Sequence, residues 1–256
     1  MPASLAADLQ MALDPVALAR AASITPDHWQ AQVLRSDSSR LLLNCSRQSG
    51  KSLTVATLAV HTALYLPDSL VLLLSPTLRQ SQELFKDKAL RVYRALGKPV
   101  EAESESALQL ALENGSRIVS LPGKEGTIRG YSGVRLLAID EAAWVPNDLY
   151  TALRPMLAVS QGRLIAMSTP HGTRGWWYEA WRSKEPWERI EVPATACPRI
   201  SPAFLAEEER TMGRWWYEQE YLCQFKDAQS SAFSRADIDR AFGKEIETWD
   251  LLSASA

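Results

Sequence analysis

Residues 41–52 read Leu-Leu-Leu-Asn-Cys-Ser-Arg-Gln-Ser-Gly-Lys-Ser, and an amphipathic run follows from Leu53 to Leu66. The aliphatic start predicts a buried strand, and the later run predicts a helix that begins near the glycine. A strand that leads into Gly-Lys-Ser at a helix start directs backbone N–H groups and the positive helix end toward an anion. The stretch therefore predicts a loop that binds nucleotide phosphates.

Three residues of this loop have distinct expected roles. Lys51 should contact the β and γ phosphates, and the Ser52 hydroxyl should hold Mg²⁺. Gly50 allows a close backbone approach that a Cβ would block. The usual pattern begins with a glycine where this chain has Cys45, so the motif is degenerate. Its alternative is an ordinary turn between a strand and a helix.

A second motif lies at residues 136–141, which read Leu-Leu-Ala-Ile-Asp-Glu. Carboxylates at the carboxyl end of a parallel strand face the ligand crevice. We expect Asp140 to hold the Mg²⁺ shell and Glu141 to orient and deprotonate an attacking water. Such an acidic pair alone is more often a helix N-cap, but the phosphate loop earlier in the chain favours catalysis. The pair therefore predicts hydrolysis as well as binding.

A third strand, Leu164–Met167, ends in Ser168, Thr169 and Pro170. A hydroxyl at this position can hydrogen-bond the γ phosphate or its attacking water. Thr169 is thus a candidate sensor of hydrolysis, and the alternative is a polar turn before Gly172.

The remaining pattern predicts an α/β fold. Short aliphatic runs alternate with helical segments, which is typical of strands buried on both faces of a parallel sheet. Asn114-Gly115 predicts an antiparallel hairpin within residues 106–121, and residues 78–96 predict one amphipathic helix with Leu78 on its apolar face. Ser201-Pro202 predicts a helix start, and Gly213 should divide that helix. The aliphatic runs are Leu41–Asn44, Leu70–Ser75, Val134–Asp140 and Leu164–Ser168.

Composition excludes several classes of protein. The chain has 256 residues, 46% hydrophobic and 23% charged, which predicts a folded protein of one large or two small domains. A net charge of −2 argues against coating of nucleic acid by the whole surface but allows local basic patches. Three cysteines and three histidines have no metal-site spacing. The longest aliphatic run, Leu70–Leu74, is far shorter than a membrane span, so we expect a cytoplasmic protein without a membrane partner.

With these strands in order, the sequence from about Pro26 to about Phe233 resembles the ATPase domain of large terminase subunits, the DNA-packaging motors of tailed bacteriophages. The most telling residues are 46–52, because the terminase phosphate loop characteristically carries Ser-Arg-Gln. Residues 139–143 are similar to the family's Walker B segment, and residues 168–170 to its coupling motif. The resemblance implies an ATPase with Mg²⁺ as cofactor. It also implies a phosphate-loop NTPase fold of the ASCE, RecA-like type, with a mainly parallel central sheet and a small helical lid subdomain.

Further site residues follow from the resemblance alone. Residues 26–30 are similar to the adenine-recognition motif, which implies that Gln30 pairs with adenine, with Gln32 as the alternative. Arg47 corresponds to an arginine that stabilises transition-state charge within one subunit, and Arg129 resembles one offered across a ring interface to a neighbour's ATP. For both arginines the alternative is ion pairing without catalysis. The loop residues implied to bind ATP are Ser46, Gln48, Ser49, Gly50, Lys51 and Ser52.

The resemblance also implies a domain plan and partners. We expect a motor domain over residues 1–243 with its lid at about 195–240, a flexible tail or the start of a linker over 244–256, and no nuclease domain. The implied partners are double-stranded DNA, a portal protein, a small terminase subunit and a homomeric ring. The ring should be a pentamer on the portal, with a monomer in isolation as the alternative state. We expect the protein in the host cytoplasm and, transiently, on the procapsid portal. We expect its DNA contacts to come from Lys124, Arg129 and Arg174.

Two other functions fit the same motifs. The chain could be a helicase-like or other DNA-stimulated phosphate-loop ATPase. It could also be a nucleotide-binding scaffold without turnover, which the Asp140-Glu141 pair disfavours.

Overall fold

A computed structural model describes residues 4–123, 128, 130–227 and 240–241. Within these residues one eight-stranded sheet forms the centre of the molecule. Its strands in chain order are β1 Arg40–Cys45, β2 Leu70–Ser75, β3 Ala102–Glu105, β4 Gln109–Leu112, β5 Arg117–Pro122, β6 Val134–Asp140, β7 Arg163–Ser168 and β8 Glu188–Val192.

Helices lie before β1, between several of the strands and after β8. They are α1 Leu5–Leu13, α2 Pro15–Ala21, α3 His28–Arg35, α4 Lys51–Tyr65, α5 Leu78–Gln82, α6 Arg91–Ala95, α7 Asn147–Leu153, α8 Gly175–Arg182, α9 Pro202–Met212 and α10 Arg214–Glu220. A π-helical segment, Glu83–Leu90, joins α5 to α6, and short 3-10 turns lie at Ala142–Trp144, Arg154–Leu157 and Ala194–Ala196. No helix in the described ranges has the length and apolarity needed to cross a bilayer.

The strand order across the sheet is β3-β4-β5-β2-β6-β7-β1-β8. Every pair from β5 to β8 is parallel, whereas β3-β4 and β4-β5 are antiparallel. The four predicted aliphatic strands and the antiparallel hairpin are therefore confirmed. Because β7 lies between β1 and β6, the loops after these three strands leave the same edge of the sheet next to one another.

Side chains of the central strands alternate between two apolar layers. Leu41 and Leu43 of β1 pack in the layer that contains α4, and Leu42 packs in the opposite layer with α7 and α8. This period-2 alternation is the geometry of a strand with helices on both faces. It explains why the strands are continuously aliphatic, while the registers of β1 and β6 with β7 fix their ends relative to each other.

The prediction for residues 78–96 was wrong in one respect. The segment is helical, but its middle has π-helical geometry, with hydrogen bonds from residue i to i+5. This wider turn changes the face on which the preceding residues lie. Leu78, predicted on the apolar face, is 50% exposed, while Phe85 is fully buried.

The segment predicted to form a lid contains two helices in the described residues. Ser201 caps α9 by accepting from the backbone N–H of Phe204, and Gly213, with φ of 80°, separates α9 from α10. The predicted division at Gly213 is therefore confirmed. The boundaries at residues 195, 240 and 243 stay predictions, and residues 228–239 and 242–256 lie outside the described residues.

Candidate active site

A cleft of about 770 Å³ lies at the carboxyl ends of four adjacent strands. One wall is the loop between β1 and α4, residues 47–52. Pro76 after β2, Glu141 after β6 and Thr169 after β7 line the rest. Ligands of open α/β sheets bind at this edge, where loops from neighbouring strands meet.

Gly50 gives the loop its shape. It lies directly before α4 and has φ of 97°, a left-handed conformation that a residue with a Cβ adopts only at a cost. A Cβ at this position would lie 2.8 Å from the Gln30 amide nitrogen and 3.2 Å from a guanidinium nitrogen of Arg199. Glycine is therefore needed for both the turn and the close approach of these two side chains.

Lys51 is the first residue of α4, and its side chain is 10% exposed. The Nζ atom lies 3.1 Å from Oε1 of Glu141. Burial alone would lower the pKa of Lys51, but the carboxylates of Glu141 and Asp140 outweigh it and raise the pKa. The cleft therefore contains a charged ammonium group at a helix N-terminus, where an anion is stabilised.

Ser52 and Asp140 lie together, as the sequence predicted. The Ser52 hydroxyl donates to Oδ2 of Asp140 at 3.1 Å. Burial raises the pKa of Asp140 to about 6, although Lys51 opposes the shift. A hydroxyl and a carboxylate fit Mg²⁺, which prefers oxygen ligands and completes its shell with waters and phosphates.

Glu141 adopts a left-handed backbone conformation, with φ of 49° and ψ of 47°. For a residue other than glycine or asparagine this costs roughly 1–3 kcal/mol, and such strain is concentrated at functional sites. The backbone N–H donates to Oδ1 of Asp140 at 3.0 Å. The carboxylate lies between Lys51 and the hydroxyl of Ser168, whose Oγ is 3.5 Å from Oε2. The strained turn thus aims Glu141 across the cleft toward the phosphate loop.

The end of β7 forms the floor beside Glu141. Thr169 is 7% exposed and lines the cleft, and its carbonyl accepts from the Ser168 hydroxyl at 2.9 Å. At the rim, the rings of Trp144 and His171 stack with centroids 3.7 Å apart. Sequence analysis missed this stack, because its two residues follow different strands and belong to no motif.

Arg47 lines the cleft, but its side chain is 67% exposed and pairs with Glu220 at the end of α10. Its backbone N–H also donates to the Glu220 carbonyl at 3.1 Å. These contacts tie the phosphate loop to α10.

Two predicted basic site residues, Lys124 and Arg129, belong to the loop before β6 and lie outside the described residues. Arg174, the third predicted DNA contact, is exposed and precedes α8.

The other loop residues differ in what they offer a ligand. Gln48, with φ of 59°, lines the cleft, as does Ser49. Ser46 is fully buried behind the loop, does not line the cleft, and its N–H donates to the Val192 carbonyl of β8 at 2.9 Å. The loop therefore presents residues 47–52 to the cleft, and Ser46 anchors it to the sheet.

Gln30 lies beside the loop in a separate pocket of about 470 Å³, which shares Gly50 and Leu53 with the cleft. Its Oε1 accepts from the Asp27 backbone N–H at 2.8 Å, and its Nε2 donates to Thr54 at 3.0 Å. The amide is therefore held in place at the start of α3. Gln32 is exposed on the same helix.

Arg199 is a further residue that sequence analysis missed. It donates to the Asp27 carboxylate at 2.8 Å and to the Ser49 carbonyl at 2.7 Å. No motif surrounds it, and its partners lie 172 and 150 residues away in the chain. Only the folded structure brings these three residues together.

The strand order and the loop together define the fold of an ASCE, RecA-like phosphate-loop NTPase: a strand runs through the phosphate loop into a helix, and another strand separates it from the acidic strand. The chain belongs to the large terminase family, since the family described as "Terminase large subunit, T4likevirus-type, N-terminal" matches residues 42–240. The predicted resemblance is confirmed.

Known terminases are similar to this chain in sequence and in fold. The large terminase subunit of Thermus phage G20c is 26% identical, over 83% of this chain and 51% of that protein. The ATPase domain of the Thermus phage P74-26 large terminase has a TM-score of 0.72 at 23% identity, over 81% of this chain and 97% of that one. The large terminase of bacteriophage HK97 has a TM-score of 0.63 at 17% identity, over 78% and 50%. The chain spans about half the length of the curated relatives it matches.

Proposed function

We propose that this chain hydrolyses ATP with Mg²⁺ and uses the free energy to move double-stranded DNA into a viral procapsid. The proposal depends on one observation: the phosphate loop and the acidic pair, far apart in the chain, are in direct contact. Lys51 lies 3.1 Å from Glu141, and Ser52 lies 3.1 Å from Asp140. A structural turn before a helix would not need a buried ammonium and two carboxylates in contact. Membership of the terminase family supports the DNA-packaging role.

Binding begins at the phosphate loop. The backbone N–H groups at the start of α4 and the Lys51 ammonium receive the β and γ phosphates. The incoming phosphate competes with Glu141 for Lys51, so the ion pair between these two side chains has to open. Mg²⁺, when bound, neutralises phosphate charge, and Ser52 and Asp140 would hold it.

Hydrolysis then depends on Glu141. Once released from Lys51, its carboxylate accepts a proton from a water molecule while the water oxygen bonds to the γ phosphorus. The bond from that phosphorus to the bridging oxygen breaks, and ADP and phosphate leave. The strained backbone of Glu141 fixes the direction of the carboxylate, which lowers the cost of reaching this arrangement.

Arg47 and Arg129 would stabilise the charge that develops on the phosphates. Arg47 has to leave Glu220 to do so, and this exchange would couple the nucleotide to α10. Arg129 would act on a neighbouring subunit's ATP in a ring. Mixing Arg129→Ala subunits with Glu141→Gln subunits should restore part of the turnover if the arginine acts across an interface, and no rescue at any ratio would contradict that role.

Loss of the γ phosphate would remove contacts to Lys51 and Thr169. A difference in contacts between the two states is what biases a conformational equilibrium. The lid at about 195–240 would move in response and shift the grip on DNA. That grip would rest on contacts with DNA backbone phosphates and would weaken steeply with salt. Arg174 is a candidate for such a contact.

The proposed assembly also contains the portal protein, the small terminase subunit and a homomeric ring of this chain. It would form in the host cytoplasm and act transiently at the portal.

Phosphate release by the purified chain tests the proposal. We expect ATP turnover that requires Mg²⁺, rises with intact duplex DNA and falls by roughly two to four orders of magnitude in Glu141→Gln. Release of a displaced strand would instead indicate a helicase. No phosphate release at concentrations where the ring forms would indicate a scaffold without turnover.

A further inference from the structure

The pocket of about 470 Å³ beside the phosphate loop is lined by both polar and apolar side chains. Its polar lining includes Gln30, Arg91 and Arg199, and its apolar lining includes Ile24, Leu53 and Val92. Gly50 and Leu53 also line the phosphate cleft. A flat heteroaromatic group attached to a phosphate chain would therefore fit with its phosphates in the cleft and its ring in this pocket.

Arg199 is held at its edges. Nη1 lies 2.8 and 2.7 Å from the two carboxylate oxygens of Asp27, and Nη2 donates to the Ser49 carbonyl at 2.7 Å. Guanidinium N–H groups all point outward in the plane of the group. These contacts therefore use the edges of the guanidinium and not its faces, and the side chain is 49% exposed.

The contacts of Arg199 join the two parts of the proposed nucleotide site. Asp27 caps the start of α3, and its backbone N–H donates to Gln30. Ser49 directly precedes Gly50, and a Cβ on Gly50 would lie 3.2 Å from Nη2 of Arg199. The guanidinium plane is thus fixed against both the glutamine segment and the phosphate loop.

We propose that Arg199 is the stacking platform for the purine base of the bound nucleoside triphosphate. The proposal rests on the function proposed above, since it assumes that the triphosphate occupies the cleft. A guanidinium stacks on an aromatic ring through both its charge and its flat face, whereas an ammonium offers only the charge. Gln30 would then read the edge of a base whose face lies on Arg199.

The test compares two ligands on the full chain with Mg²⁺: ATP, and inorganic tripolyphosphate, which has no base. Arg199→Ala should weaken ATP binding by about 3- to 30-fold, the range for one such stacking contact, and leave tripolyphosphate binding unchanged. Arg199→Lys keeps the charge beside Asp27 and should show nearly the same selective loss. Arg210→Ala is the matched control, because Arg210 is an exposed arginine that hydrogen-bonds the Ala206 carbonyl of its own helix.

Equal weakening of both ligands would overturn the proposal, because it would mean that Arg199 acts through Ser49 and the phosphate loop. Full recovery in Arg199→Lys would overturn it as well, because charge alone would then suffice. If Arg199→Ala does not fold, Arg199→Lys still decides between these results. Steady-state kinetics add a second readout: KM for ATP should rise while kcat stays within about twofold of the parent, since Arg199 would contact the base of ATP equally before and during the reaction.

Failure of the two proposals can be told apart. If the parent chain binds neither ATP nor tripolyphosphate, the proposed nucleotide site itself is wrong. If the parent binds both and the ratio of the two affinities is unchanged in Arg199→Ala, only the stacking role is wrong.

Discussion

The phosphate end and the base end of the proposed nucleotide site are built in different ways. At the phosphate end, Lys51 and Glu141 are both largely buried and in contact. At the base end, the Arg199 side chain is half exposed, and its carboxylate partner caps a helix. Charges act more strongly where water is excluded. The difference indicates that substitutions at the phosphate end should change catalysis and binding by larger factors than those at the base end.

Glu141→Gln should have the largest effect. We expect hydrolysis to fall by roughly two to four orders of magnitude, the range for loss of a positioned general base, while ATP still binds because Lys51 is released from its ion pair. Single-turnover phosphate release and equilibrium ATP binding measure the two effects. Glu113→Gln, an exposed glutamate in the turn between β4 and β5, is the control, and parental turnover in Glu141→Gln would show that the base is another group.

Lys51→Ala should weaken ATP binding itself by about 10- to 150-fold, the value of roughly 1.5–3 kcal/mol for a hydrogen bond to a charged group. The variant also leaves Glu141 without its partner, so thermal unfolding should be measured alongside affinity. Lys86→Ala, on the exposed side of the π-helical segment, is a matched removal of one positive charge. Unchanged ATP affinity in a folded Lys51→Ala variant would contradict the expected difference between the phosphate end and the base end of the site.

The phosphate end should also depend on pH. Because burial raises the pKa of Asp140 to about 6, protons compete with Mg²⁺ below pH 6, and not only near pH 4 as for an exposed aspartate. Mg²⁺-dependent ATP affinity should therefore be nearly constant above pH 7 and fall about tenfold for each pH unit well below 6. Titration calorimetry at pH 5 and pH 7.5 measures this fall.

The comparison variant for the pH experiment is Asp140→Asn. In this variant the decrease of Mg²⁺-dependent ATP affinity at low pH should disappear. The contribution of Arg199 should stay constant over the same range, since a guanidinium does not titrate there. A parental profile that is flat from pH 7.5 to 5 would contradict the assignment of Asp140 to the metal.

Thr169→Val should have the smallest effect at the phosphate end. The change removes one hydroxyl with little change in volume, so turnover should fall by about 3- to 10-fold, the value of one neutral hydrogen bond, and ATP affinity should change less. Thr211→Val, on the exposed face of α9, is the control in a kcat and KM comparison. An equal loss of kcat in both variants would remove Thr169 from the sensor role.

The two ends also differ in how far the sequence predicts them. Residues 41–52 form their strand, turn and helix from local preferences, and Asp140 and Glu141 follow an aliphatic strand, so the phosphate end could be predicted in detail. The parallel sheet then brings the two motifs together, because β1 and β6 have the same neighbour, β7. This is why the two motifs could be expected to meet at one edge of the sheet, whereas the ion pair between Lys51 and Glu141 came from the structure.

The base end could not be predicted in the same way. Arg199 reaches Asp27 and Ser49 only through tertiary packing, and its surrounding sequence has no periodicity that marks it. The π-helical segment likewise changes the exposure of Leu78 without any proline or glycine inside it to signal the change. Gln30 was found through the resemblance to a family, and its contacts with Asp27 and Thr54 came from the fold.

A structure of the Glu141→Gln chain with ATP and Mg²⁺ tests the central claim most directly. We predict that Lys51 Nζ will contact the β and γ phosphates, and that the metal will lie between the γ phosphate, Ser52 and Asp140, about 2.0–2.1 Å from its ligand oxygens. The amide introduced at position 141 should then face a water molecule in line with the γ phosphorus. A triphosphate bound elsewhere, or bound in the cleft with no metal beside Ser52 and Asp140, would contradict the account.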